Sequence, residues 1–290
     1  MQLVVLAAGH GIRFGGLKQL APVGPHGEAI MDYTAEAAAA CGFDGAVVVI
    51  REEIRDEIGR HIKARWPASL PVTFVCQAAT PGTAQAVATA GAALDGPFGV
   101  VNADDLYGES ALRIVRDHFA PNTTRRAPDD AHLLVAYRLG RTILTSATVK
   151  RGICETGPDG RLVRVVEHTV RLRDDGTFEA KPIDESEPPT DAKVLSGSEP
   201  TSMNLWGFHH RMLDHLQMAI DKHAKAPHER ELLLVEVVGS LVDTGADRVR
   251  VIDTEARCIG VTHREDVAIV REQLAVHPEM LAPISNKNEG

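Results

Sequence analysis

The chain reads as an α/β protein, a three-layer sandwich with helices on both faces of a mixed, mostly parallel central sheet. Three observations predict it. Through the first 120 residues, short apolar runs rich in β-branched residues alternate with helix-length segments. Continuous apolar strands of this kind are those buried on both faces of a parallel sheet, with helices as the cover. Beyond residue 130 the strand runs become looser and partly alternating, as expected for the mixed part of a sheet. The first strand also runs straight into a glycine-rich loop, and ligands of open α/β sheets bind outside the carboxyl ends of strands.

Taken in order, strands are expected at residues 4–6, 46–50, 72–75 and 98–101, with helices at 30–41, 52–66 and 83–94 between them. Gly42 stands just past the first helix, where a left-handed capping residue is commonly glycine. Further strands are expected at 132–137, 148–154, 162–168 and 203–208, then helices near 211–222 and 229–242. A strand near 249–252 and a last helix near 265–277 complete the pattern. Residues 121–130 and 174–202 are polar and read as lacking regular structure. The second stretch, rich in Pro, Asp, Glu and Ser, suits a lid, a contact arm or a solvated insertion.

Composition narrows the function classes. The net charge is −9 and the basic residues are scattered, which argues against nucleic acid as the main partner, because that affinity rests on clustered cations. An acidic chain that binds anionic nucleotides must gather cations locally or recruit a metal ion. Cys41, Cys76, Cys154 and Cys258 lie far apart without a CxxC pair, so they read as reduced thiols of a cytoplasmic protein. The apolar start is short and lacks a basic flank, so it reads as a first strand and not as a signal peptide. No stretch is long enough for a membrane span, and no membrane partner is expected.

The loop after the first strand carries Gly9, Gly11, Gly15 and Gly16 together with Arg13 and Lys18. Glycines let main-chain N–H groups approach phosphates closely, and the two cations offset part of their charge. Two familiar phosphate loops do not fit. A Walker A loop needs Gly-Lys-Ser/Thr, but Leu17 and Gln19 flank Lys18, and a dinucleotide fingerprint needs glycine where Phe14 stands. What remains, Leu-Ala-Ala-Gly-x-Gly-x-Arg-x-Gly-Gly-x-Lys, resembles the signature of the sugar-1-phosphate nucleotidyltransferases, or NDP-sugar pyrophosphorylases. The likeness is strong over residues 3–107 and looser over 148–266.

The resemblance implies a GT-A-like, Rossmann-type fold and transfer of a nucleoside monophosphate from an NTP to a sugar 1-phosphate, with Mg²⁺ as cofactor. It implies one domain over residues 1–277, with a nucleotide-binding half (1–120), a sugar-binding half (131–277) and a fraying tail (278–290). Arg13 and Lys18 take the catalytic roles: Arg13 braces the outer phosphates and Lys18 stabilises charge at the α-phosphorus. Leu6, Ala7, Ala8, Gly9, Gly11 and Asn102 fall on the nucleotide. Gln77, Gly82 and Thr83 match the base-reading segment. An amide can pair with a pyrimidine edge, which favours UTP, while Thr83 also suits the cap of its own helix. Gly152, Glu167 and Asn204 match the sugar-binding pieces, where acceptors as well as donors are needed for hydroxyls. Asp104, at the strand-end Asn-Ala-Asp-Asp, matches the metal ligand, with Asp105 as its orienting neighbour. The second metal position falls on Thr262, an untypical ligand beside His263. Asp266 suits either a water-mediated ligand or a first-turn helix carboxylate.

The chemistry agrees with the absence of a Ser, Cys or His catalytic cluster in the sequence. A phosphate monoester has its second pKa at about 6, so the nucleophile is already ionised near neutrality and needs no general base. Three other readings are weighed: a glycosyltransferase on a similar sheet, a cytidylyltransferase acting on a polyol phosphate, and a non-catalytic nucleotide-sensing module. Asp104-Asp105-Leu106 lacks the Asp-x-Asp spacing that the first would use. The sequence leaves open which sugar is used and whether the chain forms a homo-oligomer.

Overall fold

The computed structural model describes residues 1–9, 14–77, 82–120, 130–145, 147–183, 192–225 and 230–281. The first half alternates strand and helix: β1 (Gln2–Leu6), α1 (Ile30–Ala40), β2 (Gly45–Ile50), α2 (Arg55–Arg65), β3 (Val72–Cys76), α3 (Thr83–Ala90) and β4 (Phe98–Asn102). A two-residue strand β5 (Asp105–Leu106) and helix α4 (Glu109–His118) follow. The second half holds β6 (His132–Arg138), β7 (Val149–Thr156), β8 (Leu162–Leu172), β9 (Phe178–Pro182), β10 (Lys193–Leu195) and β11 (Pro200–Phe208). The chain ends with α5 (Met212–Ala224), α6 (Leu234–Asp243), β12 (Val249–Thr254), β13 (Ile259–Gly260) and α7 (Asp266–Val276).

Strands β3, β2, β1 and β4 lie side by side and parallel. Side chains two apart along a strand share a face. Thus Leu3, Val5, Val48 and Ile50 pack under α1, α2 and α4, and Val4, Leu6, Val47 and Val49 pack under α3, α5 and α6. These two cores on opposite faces of one sheet make the three layers. The mixed character enters at β11, which runs antiparallel to β4 on one side and to β6 on the other, with β12 parallel to β6 beyond.

β11 also creates a branch. Its end, Trp206–Phe208, pairs with β4, while Thr201 and Ser202 pair with β7, from which β8, β9 and β10 extend as an antiparallel meander. The register against β6 slips between Ser202 and Trp206. Asn204 lies inside that irregularity with φ 59°, the one positive φ outside glycine among the described residues.

Several expectations are corrected. Residues 174–202 are not without regular structure: β9, β10 and the start of β11 fall there. The helix expected at 83–94 stops at Ala90 and continues as a tight 3-10 turn over Gly91–Ala93, and the start of 52–66 is likewise a 3-10 turn, Glu52–Ile54. The helix expected from residue 229 begins at Leu234. The tail opens with a short 3-10 turn, Pro278–Met280. Residues 121–129 and the tail beyond 281 lie outside the described residues. Among the described residues, no helix is long and apolar enough to cross a membrane.

Candidate active site

The site forms where β1 and β4 end together. Ala103 N donates to the Leu6 carbonyl at 3.1 Å, and Ala7 N to the Val49 carbonyl at 2.8 Å, so three strand ends are tied in one row. Two side chains not singled out in the sequence hold the start of the glycine loop. Buried Gln19 donates from Nε2 to the carbonyls of Ala7 (2.9 Å) and Gly9 (3.2 Å), and Arg51 Nε donates to the Ala8 carbonyl at 3.0 Å. Gly11 and Arg13 lie outside the described residues.

Lys18 and Asp104, one from the glycine loop and one from the end of β4, meet in a hydrogen-bonded ion pair. Two candidates separated by 86 positions in the chain thus share one spot. Beside them, Asn102 Nδ2 donates to Asp105 Oδ2 at 2.8 Å. Burial and the neighbouring Asp104 charge push the Asp105 carboxyl above the usual carboxylate range, and the Asn102 bond pulls it back. Asp105 abuts the β13 backbone so closely that a Cβ on Gly260 would come within 2.0 Å of its Oδ1.

A cavity of about 200 Å³ opens beside this pair, lined by Thr83, Asn102, Glu167, Ser202 and Asn204 among others. It therefore gathers nucleotide and sugar candidates from both halves of the chain. Gly152 faces Glu167 across the β7–β8 ladder and Ser202 across the β11 ladder. A Cβ there would stand 3.2 Å from Ser202 Cβ and 3.4 Å from Glu167 Oε1, so a side chain would press on Ser202 and narrow the floor. Burial pushes the Glu167 carboxyl up, while Arg151 and Lys150 pull it down. Asn204 Oδ1 accepts from Trp206 Nε1 at 3.2 Å and Asn204 N donates to Ser202 Oγ at 3.3 Å, which fixes the amide at the branch of β11.

The base-reading candidates take structural partners. Gln77 Nε2 donates to the Gly82 carbonyl at 3.1 Å, bracing the turn into α3. Gly82 has φ 123°, and a Cβ there would fall 2.6 Å from the Leu232 carbonyl, so close approach as well as conformation demands glycine. Thr83 does not cap its own helix. Gly82 holds that position, and Thr83 Oγ1 accepts from Leu234 N at 2.8 Å, at the start of α6.

Tyr107, fully buried, links the two halves. Its hydroxyl accepts from Asn102 N at 2.9 Å and donates to the Met203 carbonyl at 2.8 Å, while Tyr137 donates to the Tyr107 carbonyl at 2.9 Å.

For a metal, the strand end offers hard oxygen donors on Asp104 and Asp105. Among the described residues, no group of three or more His, Cys, Asp or Glu residues could hold a cation alone. The set therefore fits Mg²⁺ in the mode where one or two carboxylates are completed by substrate phosphates. Asp266 is occupied otherwise: its Oδ2 accepts from the amides of Thr262 (2.7 Å) and His263 (2.6 Å), anchoring the turn into α7.

This fold, with a cation–carboxylate pair at the joined strand ends and a cavity lined from both halves of the chain, is that of a nucleotidyl-transfer enzyme. The chain belongs to the family described as the MobA-like NTP transferase domain, whose model matches residues 3–233. Among solved structures it is similar to the inositol-1-phosphate CTP transferase from T. maritima, with 14% identity, a TM-score of 0.66 and coverage of 98% of this chain and 97% of that chain. No curated protein matches it by sequence.

Proposed function

We propose that the chain transfers a nucleoside monophosphate from a pyrimidine NTP, UTP first, to a sugar 1-phosphate, in a Mg²⁺-dependent reaction. The observation that carries this reading is the meeting of Lys18 with Asp104 at the end of β4, where the neighbouring Asn102 and Asp105 line the cavity that also holds Glu167 and Asn204. An oxygen of the acceptor phosphate attacks the α-phosphorus, its bond to phosphorus forms, and the bond to the bridging oxygen of the β-phosphate breaks. Pyrophosphate leaves. No proton has to be removed from the nucleophile, so the protein's work is in-line placement and charge relief.

Lys18 stabilises charge growing on the α-phosphoryl oxygens, and Arg13 braces the departing pyrophosphate. Asp104, with Thr262 as a weaker second contact, would hold the magnesium ion, which supplies positive charge between two polyanions. Leu6 to Gly9, Gly11 and Asn102 seat the nucleotide, with Gln77, Gly82 and Thr83 toward the base. Gly152, Glu167 and Asn204 orient the acceptor's hydroxyls. In this reading residues 1–120 serve the nucleotide and residues 131–277 the acceptor, within one domain.

The second reading is cytidylyl transfer to a polyol phosphate. It takes its support from the structural relative, which is named for CTP and inositol 1-phosphate and shares this fold over nearly its whole length. Release of pyrophosphate, measured for each NTP against a panel of sugar and polyol phosphates, tests both. UTP with a sugar 1-phosphate is the expected best pair, and CTP with inositol 1-phosphate is the outcome that selects the second reading. Absence of pyrophosphate from every pair removes both.

A further inference from the structure

We infer that the acceptor is longer than one sugar ring and that its distal unit lies in a second chamber beyond the first. The inference rests on the acceptor reading given above and names the class of acceptor. On the antiparallel pair β7 and β8, Gly152 stands opposite Glu167, and Lys150 stands opposite Thr169. Residues two apart share a face, so Lys150 and Thr169 continue the surface begun by Gly152 and Glu167, about 7 Å further along.

That continuation is the floor of a chamber of about 300 Å³, larger than the first. Asp105, Lys150 and Arg151 line both spaces, so the two adjoin at these residues. Other walls come from Leu144 and Thr145, which precede β7, and from Ile269 of α7. Each space alone is at or below the low end of ligand sites, roughly 300–1,000 Å³, and the two joined fall inside it.

The lining says what fits. Thr145, Thr148 and Thr169 line it together with the apolar Leu144, Val149 and Ile269. Such a surface suits a sugar, which presents C–H faces and a rim of hydroxyls that donate and accept. Two carboxylates, Asp105 and Asp266, also line it, which disfavours a polyanion such as a triphosphate. Arg151 is spent on the chain itself: Nε and Nη2 donate to the Thr142 hydroxyl and carbonyl at 3.0 and 2.6 Å, and Nη1 to the Lys150 carbonyl at 2.7 Å. The Lys150 ammonium makes no hydrogen bond or ion pair among the described residues, and its charge acts on Glu167 of the first cavity. Its ammonium therefore stands at the junction, ready for the hydroxyls or an anionic substituent of the second unit. The acceptor class is a sugar 1-phosphate that bears a further hydroxylated ring.

The test compares kcat/KM, read as pyrophosphate release, in two pairs that share the phosphorylated glucose ring: glucose 1-phosphate with maltose 1-phosphate, and glucose 1-phosphate with lactose 1-phosphate. It is run on the full chain and on Ile269→Trp and Thr145→Trp, which fill the second chamber from opposite walls. The expected result is a preference for the two-ring acceptor of about tenfold or more in at least one pair, since remote contacts raise kcat/KM. Either variant that folds brings that ratio to about one. Equal kcat/KM within both pairs, or a ratio that both variants leave unchanged, overturns the inference. Turnover of one-ring acceptors alone sinks the inference and spares the transferase reading, whereas no pyrophosphate with any acceptor sinks both.

Discussion

At the scale of single residues, Lys18 reaches Asp104 because its neighbour turns the other way: Gln19 buries its amide against the carbonyls of Ala7 and Gly9. A lysine held this way beside a reacting phosphorus acts mainly on the transition state. Lys18→Ala is therefore expected to lower kcat by about 10²–10³-fold, the usual loss for one electrostatic group, with little change in NTP affinity measured by calorimetry. Equal kcat at saturating substrate would remove Lys18 from the chemistry. Asn204 invites a paired test, because its backbone and its amide are separable. Asn204→Gly keeps φ 59° without strain but removes the amide, so the thermal midpoint should fall only by the lost acceptor of buried Trp206 Nε1, about 1–3 kcal/mol, while the acceptor KM rises. Asn204→Val meets the left-handed penalty of about 1–2 kcal/mol and should lower the midpoint further. Acceptor KM equal to the parent's in Asn204→Gly would leave Asn204 with a backbone role only.

These residues were legible in unequal measure. Lys18 and Asp104 stand out because their types and their places after strands fit a shared chemistry, and Glu167 and Asn204 because their strand segments resemble the sugar-binding pieces of the family. Gln19 and Arg51 gave no such signal, since a polar side chain that serves a backbone carbonyl looks like any surface residue until the chain is folded. Thr83 shows the converse. A threonine at a helix start reads as its cap, but the hydroxyl serves α6 instead, a partner 151 positions away that spacing cannot reveal.

At the scale of elements, the buried strands of the first half were readable from their uniform apolar runs, whose burial on both faces leaves no alternation to misread. Strands β9 and β10 were not, because they lie in the polar meander with one side toward solvent, where Val194 is exposed. Helix α4 is absent from the expected elements although Ala111, Leu112 and Val115 form one buried stripe. The branch of β11 decides the site's shape, and Tyr107 holds it. One hydroxyl satisfies Asn102 N at the end of β4 and the Met203 carbonyl next to Asn204. Tyr107→Phe leaves both buried backbone groups unpaired, at a cost of about 1–3 kcal/mol, so the urea midpoint should fall. If the hydroxyl also positions the two segments, kcat/KM falls by more than the folded fraction accounts for. An activity loss that follows only the folded fraction would make Tyr107 structural alone.

At the scale of the whole molecule, the far edge of the sheet is joined to its helices by one buried carboxylate. Asp247 accepts from Arg211 Nε at 2.8 Å, from His132 Nε2 at 3.0 Å and contacts His215 Nε2 at 3.2 Å. His132 Nδ1 accepts from His209 N at 3.1 Å, so the proton of the neutral ring sits on Nε2 and points to Asp247. Burial lowers the His132 pKa from 6.5 to about 4, against the upward pull of Asp247. Between those values the unfolded chain binds a proton that the folded chain does not, so stability rises with pH across this window and is lost as pH falls through it. The full effect is on the order of 3 kcal/mol at 1.36 kcal/mol per pKa unit. Glu167 and Asp105, whose carboxyls are pushed up, work in the opposite direction, as folded acids that retain protons lose stability when pH rises. The informative quantity is thus the difference between the parent and His132→Gln, followed by urea unfolding from pH 7 to pH 4. The parent should lose stability faster than the variant from about pH 6.5 downward, with the difference in slope vanishing below about pH 4. The Asp247 carboxyl, held well below its usual range chiefly through Arg211 against the cost of burial, adds its own loss only at the acid end of this window, as pH nears the ordinary carboxylate range, so the decisive stretch is pH 6.5 to about 5. Parallel curves for the two proteins would show that His132 is neutral in neither state, or in both, and would break the link between this edge of the sheet and acid sensitivity.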